Sequence, residues 1–459
     1  MLERQSLDAL LEAVKKLDAG FGALPAFESK TPGMEKIAGA LAQTAERLHD
    51  NYPYFHPLYA GQMLKPPHPV ARLAYALSLW INPNNHALDG GRATSEMEKE
   101  AVAEIAGMFG WKEFLGHLCG GGTMANLEAL WVASQTHPGK TILASDQAHY
   151  THRRISAVLQ VPFESIGCDA RGRMDMTALQ RRLAGRDVGT VVATMGTTAT
   201  GSVDPLPEIL ALREKYGFRV HADAAYGGYF VLAKNLGEET ATAFARMEEA
   251  DSIVIDPHKH GLQPYGCGCV LFCDPGVGRF YKHDSPYTYF SSAELHLGEI
   301  SLECSRPGAA AAALWATQQL LPLERGGEFA FGLECGRKAA VALHEKLEKD
   351  QRYMTAFAPE LDILVFAPRA KSVSGASGLS RRIFTAAAKR NLHLALAELP
   401  ADYWGSFFAS MDRDRETMTC LRSVLMKPEH LDWIGQIWDK LSAATTEALN
   451  EDGATLVAS

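Results

Sequence analysis

From about residue 95 onward the chain alternates short apolar runs with stretches of helical periodicity, and this alternation limits its possible folds more than any other feature. Ser95 to Phe109 and Thr123 to Ser134 carry apolar residues at helical spacing, whereas Thr141-Ile142-Leu143-Ala144 reads as a buried strand. Thr190-Val191-Val192-Ala193-Thr194, Arg219-Val220-His221-Ala222 and Ser252-Ile253-Val254-Ile255 repeat the strand pattern, with helical stretches between several of them. A strand that is apolar throughout has both faces covered. The expected class is therefore α/β, with a mostly parallel central sheet and helices on both faces. Such sheets bind ligands at the carboxyl ends of their strands.

A chain of 459 residues is too long for one ordinary core. The expected division is an N-terminal helical and loop segment over 1–90, a large domain over 91–320, and a small α+β domain over 321–459. In the first segment Leu7, Leu10, Leu11, Val14 and Leu17 form one apolar stripe on an otherwise charged helix, and such a stripe needs a partner surface. Residues 51–70, rich in Pro and aromatic residues, read as an ordered irregular loop. The net charge of -9 argues against a nucleic-acid partner. No apolar run approaches the ~20 residues that span a bilayer, so no membrane partner is expected. Charges at Glu3, Arg4 and Asp8 interrupt any secretory signal, which places the protein in the cytoplasm. Cys267, Cys269 and Cys273 lack metal-ligand spacing and read as buried reduced thiols; no metal site is expected.

Chemistry-bearing residues follow the strand runs directly: Asp146 and His149, Thr197 and Thr198, Asp223, then Asp256, His258 and Lys259. On an α/β sheet all of these fall on one edge. A lysine held at a strand end in a partly desolvated pocket is suited to Schiff-base chemistry, although a solvated turn lysine has the same spacing. Gly120-Gly121-Gly122-Thr123 opens a helix whose free N–H groups can cradle a phosphate; a tight strand-to-helix turn needs glycine too. Asp223 ends a buried strand among small residues, where it either pairs with a pyridine nitrogen or caps the next helix.

Gly121-Gly122-Thr123, Ser145-Asp146-Gln147-Ala148-His149, Gly196-Thr197-Thr198, His221-Ala222-Asp223-Ala224-Ala225-Tyr226 and His258-Lys259, in this order, resemble the motifs of the group II pyridoxal phosphate-dependent decarboxylases. This family includes the aromatic amino acid, glutamate and tyrosine decarboxylases, and the resemblance runs over roughly residues 50 to 445. It implies a type I, aspartate aminotransferase-like fold, pyridoxal 5'-phosphate as cofactor, and a homodimer with sites at the interface. Lys259 would hold the cofactor as a Schiff base, His149 would stack on its ring, Ala225 would pack on the opposite face, and Asp223 would pair with the ring nitrogen. Gly121, Gly122, Thr123 and His258 would approach the phosphate and Thr198 the ring, with Asp204 nearby in a supporting role. Arg422 would hold the substrate carboxylate, unless it serves an interdomain salt bridge, and His56 and Tyr59 would line the side-chain pocket.

The implied reaction is decarboxylation of an L-amino acid through an external aldimine and a quinonoid carbanion, giving an amine and CO2. Tyr289 or Tyr287 would return the proton, in a stretch that reads equally well as an aromatic cluster at a subunit interface. Two features keep alternatives open. His260-Gly261-Leu262-Gln263-Pro264-Tyr265-Gly266 is similar to the sphingosine-phosphate lyase branch, and Phe290 to the aldehyde-synthase variants. Met124 also departs from the family, many of whose members carry Glu there.

Overall fold

A computed structural model describes residues 3–28, 30, 31, 33–282 and 296–457, with side chains described up to residue 450. The apolar runs become a seven-stranded sheet: β1 (Leu115–Cys119), β2 (Thr141–Ser145), β3 (Phe163–Ile166), β4 (Val188–Thr194), β5 (Arg219–Asp223), β6 (Ser252–Ile255) and β7 (Gly268–Phe272). Their order is β1-β7-β6-β5-β4-β2-β3. Strands β2 to β6 pair in parallel, and β7 runs antiparallel to both β6 and β1. Every residue of β2, β4, β6 and β7 is buried, as expected where helices cover both faces.

A second sheet, entirely antiparallel, is built from β8 (Tyr353–Thr355), β9 (Ile363–Pro368), β10 (Ala395–Pro400) and β11 (Thr417–Val424), in the order β10-β11-β9-β8. The helices Glu328–Lys349 and Val373–Ala388 pack against it, and His430–Val457 packs on both of these helices. Leu58 and Ala60 join the apolar core of this unit. The backbone N–H groups of Ala60 and Val424 donate to His393 O and Ala60 O at 2.9 and 2.8 Å, so the irregular N-terminal loop is ordered against the C-terminal sheet.

Six helices frame the rest of the description: α1 (Arg4–Gly20), α2 (Met34–Leu48), α3 (Pro69–Ser78), α4 (Leu88–Met108), α5 (Gly122–Thr136) and α6 (Thr151–Leu159). Neither α1 nor α2 has a buried residue, and Leu7, Leu11, Met34, Leu41 and Leu48 are all exposed. By contrast, α5 and α6 follow β1 and β2 directly and carry their first turns to the carboxyl edge of the sheet.

Candidate active site

Register decides which side chains meet. In the parallel ladder Thr194 of β4 lies opposite Asp223 of β5, and Asp223 opposite Val254 of β6, so the segments leaving these strands emerge side by side. They border one cavity of about 660 Å³. Gly121, Gly122, Thr123, His149, Thr198, Asp223, Ala225, His258 and Lys259 all line it. Met124 lines it as well.

The glycine turn is shaped by close approach. Gly121 has φ of +143°, a conformation open to glycine and costly for other residues. A Cβ on Gly122 would lie 2.6 Å from Asp256 Oδ2, and one on Gly268 would lie 2.5 Å from Gly121 Cα. The turn thus brings the first N–H groups of α5 to the cavity wall, where an anion is favoured. Just before it, Gly120 N–H donates to Glu303 Oε2 at 2.9 Å.

Asp256 is almost fully buried, and its Oδ2 lies 2.9 Å from Lys259 Nζ. Its other oxygen, Oδ1, and His258 Nδ1 are buried without a hydrogen-bond partner among the described residues. His149 Nδ1 lies 2.8 Å from Thr151 Oγ1, and burial lowers the pKa of its ring, which favours the neutral form.

Asp223 is held from three sides. His152 Nε2 lies 2.7 Å from Oδ2, Asn126 Nδ2 donates to Oδ2 at 3.4 Å, and Ala225 N–H donates to Oδ1 at 3.2 Å. Burial raises its pKa, but the hydrogen bond from His152, joined by the positive charge of Lys259, outweighs that effect and holds the carboxyl well below the usual range. The site therefore combines an amine, an ionised carboxylate and a glycine-opened helix end. A flat molecule with a phosphate at one end and a basic ring nitrogen at the other fits this donor set.

Other expected positions lie elsewhere. Arg422 is buried and does not offer a free fork to a substrate carboxylate. Its Nε donates to Ala199 O at 3.0 Å, Nη1 to Gly61 O and Gln62 Oε1 at 3.2 and 3.1 Å, and Nη2 to Thr198 O at 2.6 Å. The guanidinium ties three segments together. Nor does either aromatic expected in the side-chain pocket border this cavity: the His56 ring packs on Trp433 at 4.9 Å, and Tyr59 packs on Tyr54 at 4.9 Å with Lys427 over its ring at 5.3 Å. Asp204 does not line the cavity itself but stands one hydrogen bond behind Thr194, which does. It accepts from Met174 N–H at 2.7 Å and Thr194 N–H at 2.8 Å, bracing the end of β4. Tyr287, Tyr289 and Phe290 lie outside the described residues.

Sequence reasoning gave no role to His152, Asn126 or Tyr226, although Tyr226 closes one of the matching motifs. The signal for His152 was its place three residues after His149, in the first turn of α6. Tyr226 lines the cavity and donates to Asp362 Oδ1 at 2.5 Å. His260, buried between the rings of Tyr226 and Phe230 at 4.8 and 5.0 Å, lies behind this wall.

A family model described as the pyridoxal-dependent decarboxylase conserved domain matches residues 131–368, over half of the chain. The chain is similar to an L-tyrosine decarboxylase of Enterococcus faecium, 29% identical over 368 residues that cover 59% of this chain and 60% of that protein. It is likewise similar to an L-aspartate decarboxylase of Thermococcus kodakarensis, 28% identical over 281 residues covering 60% of this chain and 71% of that protein. The match therefore spans less than two thirds of the Enterococcus faecium protein. The crystal structure of Catharanthus roseus tryptophan decarboxylase in complex with L-tryptophan shares the fold, with a TM-score of 0.74 and 15% identity over 96% of this chain and 97% of that one.

Proposed function

Because the chain belongs to the pyridoxal-dependent decarboxylase family, whose cofactor is pyridoxal 5'-phosphate, we propose that it decarboxylates an L-amino acid to the corresponding amine and CO2. The convergence of Lys259, Asp223 and the glycine-opened end of α5 on one cavity carries this reading. Bound there, the cofactor would supply a ring that accepts the electron pair left on the substrate carbon when CO2 departs. Lys259 Nζ would form the covalent link to it and yield that link to the substrate amine. The ionised Asp223 would keep the ring nitrogen protonated, which strengthens the electron sink. His149 in its neutral form would lie on one ring face and Ala225 on the other. Gly121, Gly122, Thr123 and His258 would hold the phosphate, and Thr198 would border the ring.

The exposed apolar residues of α1 and α2 support assembly as a homodimer, which light scattering on the purified protein tests. Among the described residues no helix is long and apolar enough to cross a membrane.

The decisive experiment supplies L-tyrosine, L-aspartate and the other common L-amino acids to the cofactor-loaded protein and measures CO2 and amine. Release of both, abolished in Lys259→Ala, is the expected result. An aldehyde product without CO2 would replace decarboxylation with carbon–carbon lyase chemistry, and an aldehyde with CO2 would indicate oxidative synthase chemistry.

A further inference from the structure

We propose that His152 is a positioning residue for the cofactor: by donating from Nε2 to Asp223 Oδ2 it fixes the carboxylate and reserves the Oδ1 edge for the ring nitrogen. This rests on the pairing of Asp223 with that nitrogen given above. His152 is fully buried in the first turn of α6, and its Nε2 lies 2.7 Å from Oδ2. Its other ring nitrogen, Nδ1, is buried and has no hydrogen-bond partner among the described residues. A buried N–H without an acceptor is costly, so the ring proton belongs on Nε2, where the carboxylate receives it.

On the other side of Asp223, Asn126 makes a longer contact at 3.4 Å and is itself held by His221 Nε2, 2.8 Å from Asn126 Oδ1. His221 Nδ1 lies 2.8 Å from Ser252 Oγ, and burial lowers the ring's pKa to about 3, so this branch adds no positive charge near neutral pH. Charged or titratable groups around Asp223 are thus His152 on α6, His221 on β5 itself, His149 before α6, and Asp256 and Lys259 after β6. Among them His152 has the shortest bond to the carboxylate. A donor that shares its proton without surrendering it leaves the full negative charge available to a cationic ring nitrogen.

The test uses holoprotein bearing His152→Leu, which removes the donor, and His152→Gln, which keeps an N–H donor but cannot titrate. For each, the dissociation constant for pyridoxal phosphate and the pH titration of the bound cofactor's visible absorbance are measured. We expect Leu to weaken binding at least about tenfold and to displace the titration midpoint, and Gln to recover binding to within about threefold. A Leu variant that matches the unmodified protein in both readouts, or a Gln variant no better than Leu, overturns the proposal. Should the Leu variant fail to fold, ¹⁵N NMR of the histidine rings in unmodified holoprotein decides. A proton on Nε2 of His152 with a bare Nδ1 supports the proposal, and a proton on Nδ1 defeats it. If the unmodified protein does not bind pyridoxal phosphate through Lys259, the functional reading falls and takes this inference with it. Normal binding combined with an indifferent Leu variant removes the inference alone.

Discussion

A single hydrogen atom in place of a methyl group at residue 122 decides whether Asp256 can stand 2.9 Å from Lys259 Nζ. With alanine there, the new Cβ would lie 2.6 Å from Asp256 Oδ2 and 3.2 Å from its Cγ, so the carboxylate must swing away. Gly122→Ala is therefore expected to weaken pyridoxal phosphate binding by about tenfold or more, a cost of about 1.4 kcal/mol, as measured by fluorescence titration. Retained affinity would show that the carboxylate has somewhere else to go. That Lys259, Asp223 and His149 border one cavity was legible in sequence, because each follows or closes an apolar run that reads as a strand. For Arg422 the sequence left a substrate carboxylate and an interdomain tie both open, for a related reason. Its place in a strand was visible, but nothing in Cys420-Leu421-Arg422-Ser423-Val424 tells that the carbonyls of Gly61, Thr198 and Ala199 converge on it from distant parts of the chain.

Between elements, a close backbone approach at the site joins the start of β7 to the turn before α5. Gly268 stands so close to Gly121 that an added Cβ would meet Gly121 Cα, C and N at 2.5, 2.6 and 2.9 Å, all of them backbone atoms that cannot rotate aside. Gly268→Ala should displace the turn, lowering both the melting temperature of the apoprotein and its affinity for pyridoxal phosphate. An unchanged affinity would mean that the turn does not form the phosphate cradle. Alternation of strand and helix made the parallel part of the sheet readable, since β2, β4, β5 and β6 are short and apolar between helical stretches. Strand β7 escaped that reading: Gly268-Cys269-Val270-Leu271-Phe272 follows β6 through a turn with no helix between, and nothing local specifies that it reverses direction and pairs with β1. The site was legible to the extent that it sits at the ends of parallel strands. His152 and Asn126 sit on helices, where a polar residue facing inward looks like one facing out until packing is known.

For the whole molecule, junctions between the N-terminal loop and the C-terminal unit concentrate buried ionisable groups. His430 is fully buried, and burial together with the nearby Lys427 charge lowers its pKa to about 3. The unfolded chain then binds a proton that the folded one refuses, so the contribution of the neutral ring is fully present above about pH 6.5 and is lost as pH falls toward 3. Asp204 and Asp362, pushed up to about 7 and about 6 by burial, act in the opposite sense over an overlapping range. The informative quantity is thus the difference between His430→Gln and the unmodified protein in urea unfolding from pH 7 down to pH 4. The variant should lose less stability on acidification, by an amount on the order of a few kcal/mol. Parallel curves would show that the ring is solvated. Finally, β1 ends at Cys119, and its only neighbour in the sheet among the described residues is β7, which begins at Gly268. A ribosome adding about 5–20 residues per second leaves the ladder of β1 unpaired on the order of ten seconds. Lys259 leaves the tunnel before the strand that sets the glycine turn, so under the proposed function the nascent chain would carry its cofactor-linking amine before the turn proposed to hold the phosphate is in place.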